Sequence, residues 1–162
     1  MNYLVMILID NGERRYLQQS RGKGYAGCFL ISLLNARIYY NNPYITTLDD
    51  PIWEEMVDEY GCRYGGCICR PQAIRNLSLR IKRIDRDEIP NNLPVMISSF
   101  TEVGFHSSLV IDCDGDNWTI LNYNGRKGEV ETVVNKKDIN FLKRGNQNDR
   151  HYHLYEKNGE LK

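Results

Sequence analysis

From Cys28 to Ile38 the chain is apolar at every position except Ser32, Asn35 and Arg37. A helical stretch that is hydrophobic on nearly all sides predicts a helix buried all round, the central helix of its domain. The polar, glycine-bearing loop Gln18-Gln19-Ser20-Arg21-Gly22-Lys23-Gly24 delivers the chain to it, and Asn41-Asn42-Pro43 ends it. Upstream, Tyr3 to Ile9 reads as a buried strand. Asn11-Gly12 is a two-residue hairpin turn, and Arg14 to Leu17 the return strand. A second helix starts with Asp50 as N-cap and Pro51 at its first position. It carries Ile52, Met56 and Tyr60 on one apolar face and stops at Gly61. Pro71 opens a short third helix, Gln72 to Leu77.

Beyond it the pattern changes to strands. Leu79 to Ile84, Leu93 to Ser99, Phe105 to Asp112, Trp118 to Tyr123 and Glu129 to Val134 are predicted in succession. Asp114-Gly115 and Asn124-Gly125 mark turns between them. A short helix, Lys136 to Leu142, and a last strand, His151 to Tyr155, complete the chain. His151 and His153 fall on one side of that strand, which reads as an exposed edge.

The 162 residues are expected to form a single domain, 1–162, large enough to bury a core without staples. Its 21 basic and 21 acidic residues are well mixed, so there is no electrostatic footprint for nucleic acid or an anionic membrane. No run approaches the length of a membrane span. The apolar start lacks the basic segment and cleavage site of a signal peptide. An odd number of cysteines, five, points to a reducing, cytoplasmic setting. Cys62, Cys67 and Cys69 are read as reduced thiols in a turn. Their C-x4-C-x-C spacing is not a standard zinc knuckle, although a zinc-binding adaptor using them is an alternative.

Cys28 stands at the first turn of the buried helix, where free backbone N–H groups and the positive dipole end favour a thiolate. A small buried hydrophobe is the plainer role for such a residue. His106 lies near the start of a predicted strand, and Asn122 follows sixteen residues later on the next. Adjacent antiparallel strands can set these two opposite each other, so that Asn122 orients the His106 ring. A cysteine, a histidine and an orienting amide are the minimum machinery for thiolate attack on an acyl group.

With these residues the chain resembles the papain-like cysteine peptidases, in particular the C39 type that trims bacteriocin leader peptides. There a glutamine precedes the cysteine, the cysteine opens a helix, a histidine follows about eighty residues later, and an aspartate ends the next strand. Here His106 follows Cys28 by 78 positions (106 − 28). The resemblance covers roughly Gln18 to Asn124, and includes Pro71-Gln72-Ala73-Ile74 and Asn92-Leu93-Pro94-Val95-Met96-Ile97. It implies an α+β papain-like fold, with an N-terminal helical half and its cysteine-bearing helix packed on an antiparallel sheet. It also implies a thiol hydrolase of peptide or amide bonds, acting on a peptide or protein substrate without cofactor or metal. Cys28 is then the nucleophile, His106 the base and Asn122 the orienter. Gln19, or else Gln18, supplies an oxyanion donor beside the Cys28 backbone N–H. Asn122 replaces the usual aspartate, Gln19 lies further from Cys28 than in the type, and Phe29 stands where glycine is common. Two other readings are a papain-fold binding module without catalysis and an amidase of the CHAP type, which the stretch from His106 to Asn124 also resembles.

Overall fold

The apolar run folds into helix α1, Cys28–Tyr39, with every residue from Leu30 to Ile38 buried. The computed structural model describes residues 9–10, 13–19, 27–62, 67–101, 104–125, 129–141 and 151–157. Expectations for Tyr3 to Leu8, Asn11-Gly12, Gly22 and Gly24 fall outside these residues. Burying α1 on all sides requires partners for its three polar side chains, since an unsatisfied buried group costs about 1–3 kcal/mol. Each has one. Ser32 Oγ donates to the Cys28 carbonyl at 2.8 Å. Asn35 bonds both backbone groups of Leu17. Arg37 donates to the carbonyls of Asn42 and Leu77.

Helix α2 is Pro51–Glu59, capped by Asp50 Oδ1 accepting from the Ile52 N–H at 3.0 Å. Its buried side is Trp53, Met56 and Val57, continued by Tyr60, while Ile52 is exposed. Met56 and Tyr60 of the expected face are buried, and only Ile52 departs from it, with Trp53 turned inward in its place. Gly61 ends the turn at φ +66°. Helix α3, Arg70–Asn76, begins two residues before expectation, with Pro71 in its first turn.

Strands β1, Ile9–Asp10, and β2, Glu13–Arg14, form an antiparallel pair. The remaining described strands are β3 Leu79–Ile84, β4 Val95–Thr101, β5 Gly104–Asp114, β6 Asn117–Leu121, β7 Glu131–Asn135, β8 Asn140–Phe141 and β9 His151–Glu156. They build one antiparallel sheet in the order β3-β9-β4-β5-β6-β7, with β8 also on β4. Two expectations are overturned here. Residues 136–138 form a single 3₁₀ turn, and Asn140–Phe141 then runs as a strand on β4, so there is no helix from Lys136 through Phe141. The last strand is not an edge: β9 inserts between β3 and β4, and His151 is fully buried, its ring edge-on to Phe141 at 4.8 Å.

The sheet is covered on both faces. Leu30, Leu34, Trp53, Met96, Leu109 and Leu154 belong to one apolar cluster around α1. Ile89, Val95, Val110, Trp118, Ile120 and Phe141 form a second. Neighbouring residues Leu109 and Val110 go to different clusters, as alternation along a strand requires.

Cys62 and Cys67 are joined as a disulfide, which corrects the expectation of reduced thiols there. Cys28, Cys69 and Cys113 are free thiols. With two of its three cysteines oxidised, the zinc alternative loses its ligands. Among the described residues no group of three His, Cys, Asp or Glu side chains could hold a metal ion. No helix of the described residues is long and apolar enough to cross a membrane.

Candidate active site

α1 packs across β5, and this contact brings the first residue of the helix to His106 near the start of the strand. The two side chains, 78 positions apart (106 − 28), are hydrogen-bonded to each other. Cys28 is half-buried and His106 is buried. Burial acts on both against charge, raising the thiol and lowering the imidazole. The hydrogen bond and the mutual attraction of opposite charges act the other way and prevail. Backbone N–H groups of Ser107 and Phe29 aimed at the sulfur add to the effect. The Cys28 thiol is thus held below its ordinary range and His106 above its own. The Phe29 contribution is the one that a cysteine at a helix N-terminus is expected to receive.

Asn122 meets His106 differently from expectation. The His106 Nε2 lies 2.6 Å from the main-chain carbonyl of Asn122, not from its side chain. A carbonyl can only accept, so Nε2 carries the proton and Nδ1 is the ring nitrogen left for the Cys28 thiol. The geometry follows from the backbone. Asn122 is the first residue beyond β6 and adopts φ +56°, a left-handed conformation that asparagine tolerates well. Its carbonyl also accepts from the Gly125 N–H at 2.9 Å, closing a turn.

The Asn122 side chain reaches the other way, to the segment before α1. Its Oδ1 accepts from the Gln19 N–H and its Nδ2 donates to the Leu17 carbonyl, each at 2.9 Å. Leu17 is fixed a second time by Asn35 of α1, whose Oδ1 accepts from the Leu17 N–H at 2.7 Å. Of the two candidate glutamines, Gln19 is buried beside this clamp and Gln18 is exposed. The fold therefore gathers Cys28 and His106 directly, and ties the Gln19 backbone to Asn122 one bond away from the histidine. Sequence reasoning missed Asn35 and the backbone donor of Ser107. The first left a signal, since an asparagine in a helix otherwise buried in hydrocarbon needs a partner of its own.

Beside Phe29 a groove of about 650 Å³ opens between α3 and the sheet. Ile74, Leu79 and Met96 line its apolar part, and Arg70, Arg75 and Arg80 bring positive charge. Arg70 stands over the Phe29 ring, 5.1 Å from its centroid, and donates from Nε to the Cys67 carbonyl at 3.2 Å.

No protein-family profile and no curated protein sequence matches this chain. Among solved structures it is similar to a double glycine motif protease from an AMS/PCAT transporter, solved in complex with its leader peptide. The two share 15% sequence identity at a TM-score of 0.56, over 85% of this chain and 89% of the other. That likeness shows that the chain shares the α+β fold of this protease domain.

Proposed function

We propose that this protein is a cysteine hydrolase of peptide or amide bonds, with Cys28 as nucleophile and His106 as general base. The observation that carries the reading is the hydrogen-bonded Cys28–His106 pair, in which the thiol is lowered and the imidazole raised. Such a pair supplies a thiolate near neutral pH and an imidazolium beside it. The thiolate attacks the carbonyl carbon of the scissile bond, and the carbonyl electrons move onto oxygen. The tetrahedral intermediate collapses, the C–N bond breaks, and His106 Nδ1 gives its proton to the leaving amine. Water then attacks the thioester, its proton taken by the same nitrogen, and the acid and free thiolate are released. Asn122 holds the ring through its carbonyl, and Nε2 keeps its proton throughout. The oxyanion is assigned to the Cys28 backbone N–H and the Gln19 side chain, two donors of the kind a developing negative charge requires.

A peptide is the substrate class best supported. The groove beside Phe29 offers apolar surface and cationic groups for a segment flanking the scissile bond. The similar structure is itself a peptidase holding a peptide. The test is hydrolysis of a mixed peptide library followed by mass spectrometry. Cleavage is expected with the native protein and is lost, by about 100-fold or more, in Cys28→Ala and in His106→Ala. Peptide binding without cleavage, equal in all three proteins, would mean that the fold serves as a binding module.

A further inference from the structure

Resting on the reading of Cys28 and His106 as a catalytic pair, we propose that the Asn122 side chain is a positioning residue for the oxyanion side of the site, not for the histidine. Two contacts of this residue are divided between its main chain and its side chain. The main-chain carbonyl takes the His106 Nε2–H at 2.6 Å. The side-chain amide is engaged elsewhere, its oxygen accepting from the Gln19 N–H and its nitrogen donating to the Leu17 carbonyl.

This second contact has the form of a backbone pairing. An amide side chain presents one acceptor and one donor side by side, as a strand residue does, and engages an extended segment at alternate residues. From the opposite direction Asn35 of α1 bonds the Leu17 N–H and carbonyl with the same pair of groups. Leu17–Gln19 is therefore held between the helix that carries Cys28 and the turn that holds His106. All three of Asn35, Asn122 and Gln19 are buried, so these bonds are not exchanged with water at low cost. A donor assigned to the oxyanion must be fixed before the charge develops, because a mobile donor loses stabilisation to reorganisation. The clamp supplies that fixation to Gln19.

The chemistry also explains why asparagine fits here. Aspartate could still accept from the Gln19 N–H, but its second oxygen would face the Leu17 carbonyl with no proton between them. Glycine would lose the clamp and keep the carbonyl on His106, since φ +56° is relaxed for glycine.

Two reagents separate the roles. Iodoacetamide alkylates the thiolate by displacing iodide and forms no oxyanion, so its rate and pH profile report the Cys28–His106 pair alone. p-Nitrophenyl acetate acylates the same sulfur through a tetrahedral oxyanion, with p-nitrophenolate leaving. In Asn122→Gly the alkylation pH profile is expected to match that of the native protein, while the ratio of acylation to alkylation rates falls about tenfold or more. Asn122→Asp is expected to lower the same ratio, and it decides the matter alone if the glycine variant does not fold. An aspartate variant with the native ratio, or a glycine variant losing both rates together, would overturn the proposal. If instead native Cys28 alkylates like an ordinary thiol, the catalytic pair itself is what fails.

Discussion

The environments of Cys28 and Cys113 make the relative reactivity of the two thiols calculable. Both are half-buried, so access alone does not rank them. Burial, with the carboxylate of Asp112 beside it, pushes Cys113 up to about 11. Cys28 is held below the ordinary thiol value of 9.0, its burial outweighed by His106 and the two backbone N–H groups. At pH 7 the Cys113 thiolate fraction is then roughly 10⁻⁴, and that of Cys28 exceeds roughly 10⁻². A less basic thiolate is a weaker nucleophile, which returns about a factor of ten over two pH units. Cys28 should still react at least about tenfold faster. Brief treatment of the native protein with limiting iodoacetamide, then peptide mapping, measures the ratio directly. Labelling of Cys113 at a rate equal to or above that of Cys28 would refute the reasoning, because it would mean that His106 does not stabilise the thiolate in solution.

Removing the imidazole in His106→Ala leaves the burial of Cys28 in place and takes away its principal stabilising partner. The midpoint of the alkylation rate against pH is therefore expected to move upward, and a midpoint unchanged from the native protein would contradict the pairing. The Cys62–Cys67 disulfide closes a loop of sequence separation 5, for which chain entropy gives a stabilisation of about 2 kcal/mol. Its loss in Cys62→Ser/Cys67→Ser should lower the melting temperature by about 4–8 °C in a domain of this size, measured by calorimetry; an unchanged value would show that the bond adds no constraint.

The sequence pattern made most of the helices and strands legible and left their arrangement hidden. α1 was plain because a run buried on all sides needs no knowledge of its partners. β3 was found at its observed limits, since its ends are set by the adjacent Ser78 and Asp85, local features both. The insertion of β9 between β3 and β4 was not legible. His151-Tyr152-His153-Leu154-Tyr155 carries as many polar groups as an edge strand would, and only pairing with two strands from much earlier in the chain buries it. In the candidate site, Cys28 and His106 were identified from spacing and residue type, and the fold joins them. The part of Asn122 that touches His106 could not be foreseen, because it depends on a positive φ at the end of β6 and not on the side chain. The Cys62–Cys67 pairing was hidden for another reason. Three cysteines within eight residues allow several outcomes, and residue order alone does not choose among them.

The central claim is that Cys28, paired with His106, attacks acyl carbon. Its most direct measurement is the mass of the protein quenched in acid after brief exposure to p-nitrophenyl acetate, with the adduct mapped by peptide sequencing. One acetyl thioester on Cys28 is expected, formed about 100-fold more slowly in His106→Ala. Acetylation confined to lysines or other cysteines, or a Cys28 adduct forming equally fast without His106, would contradict the account.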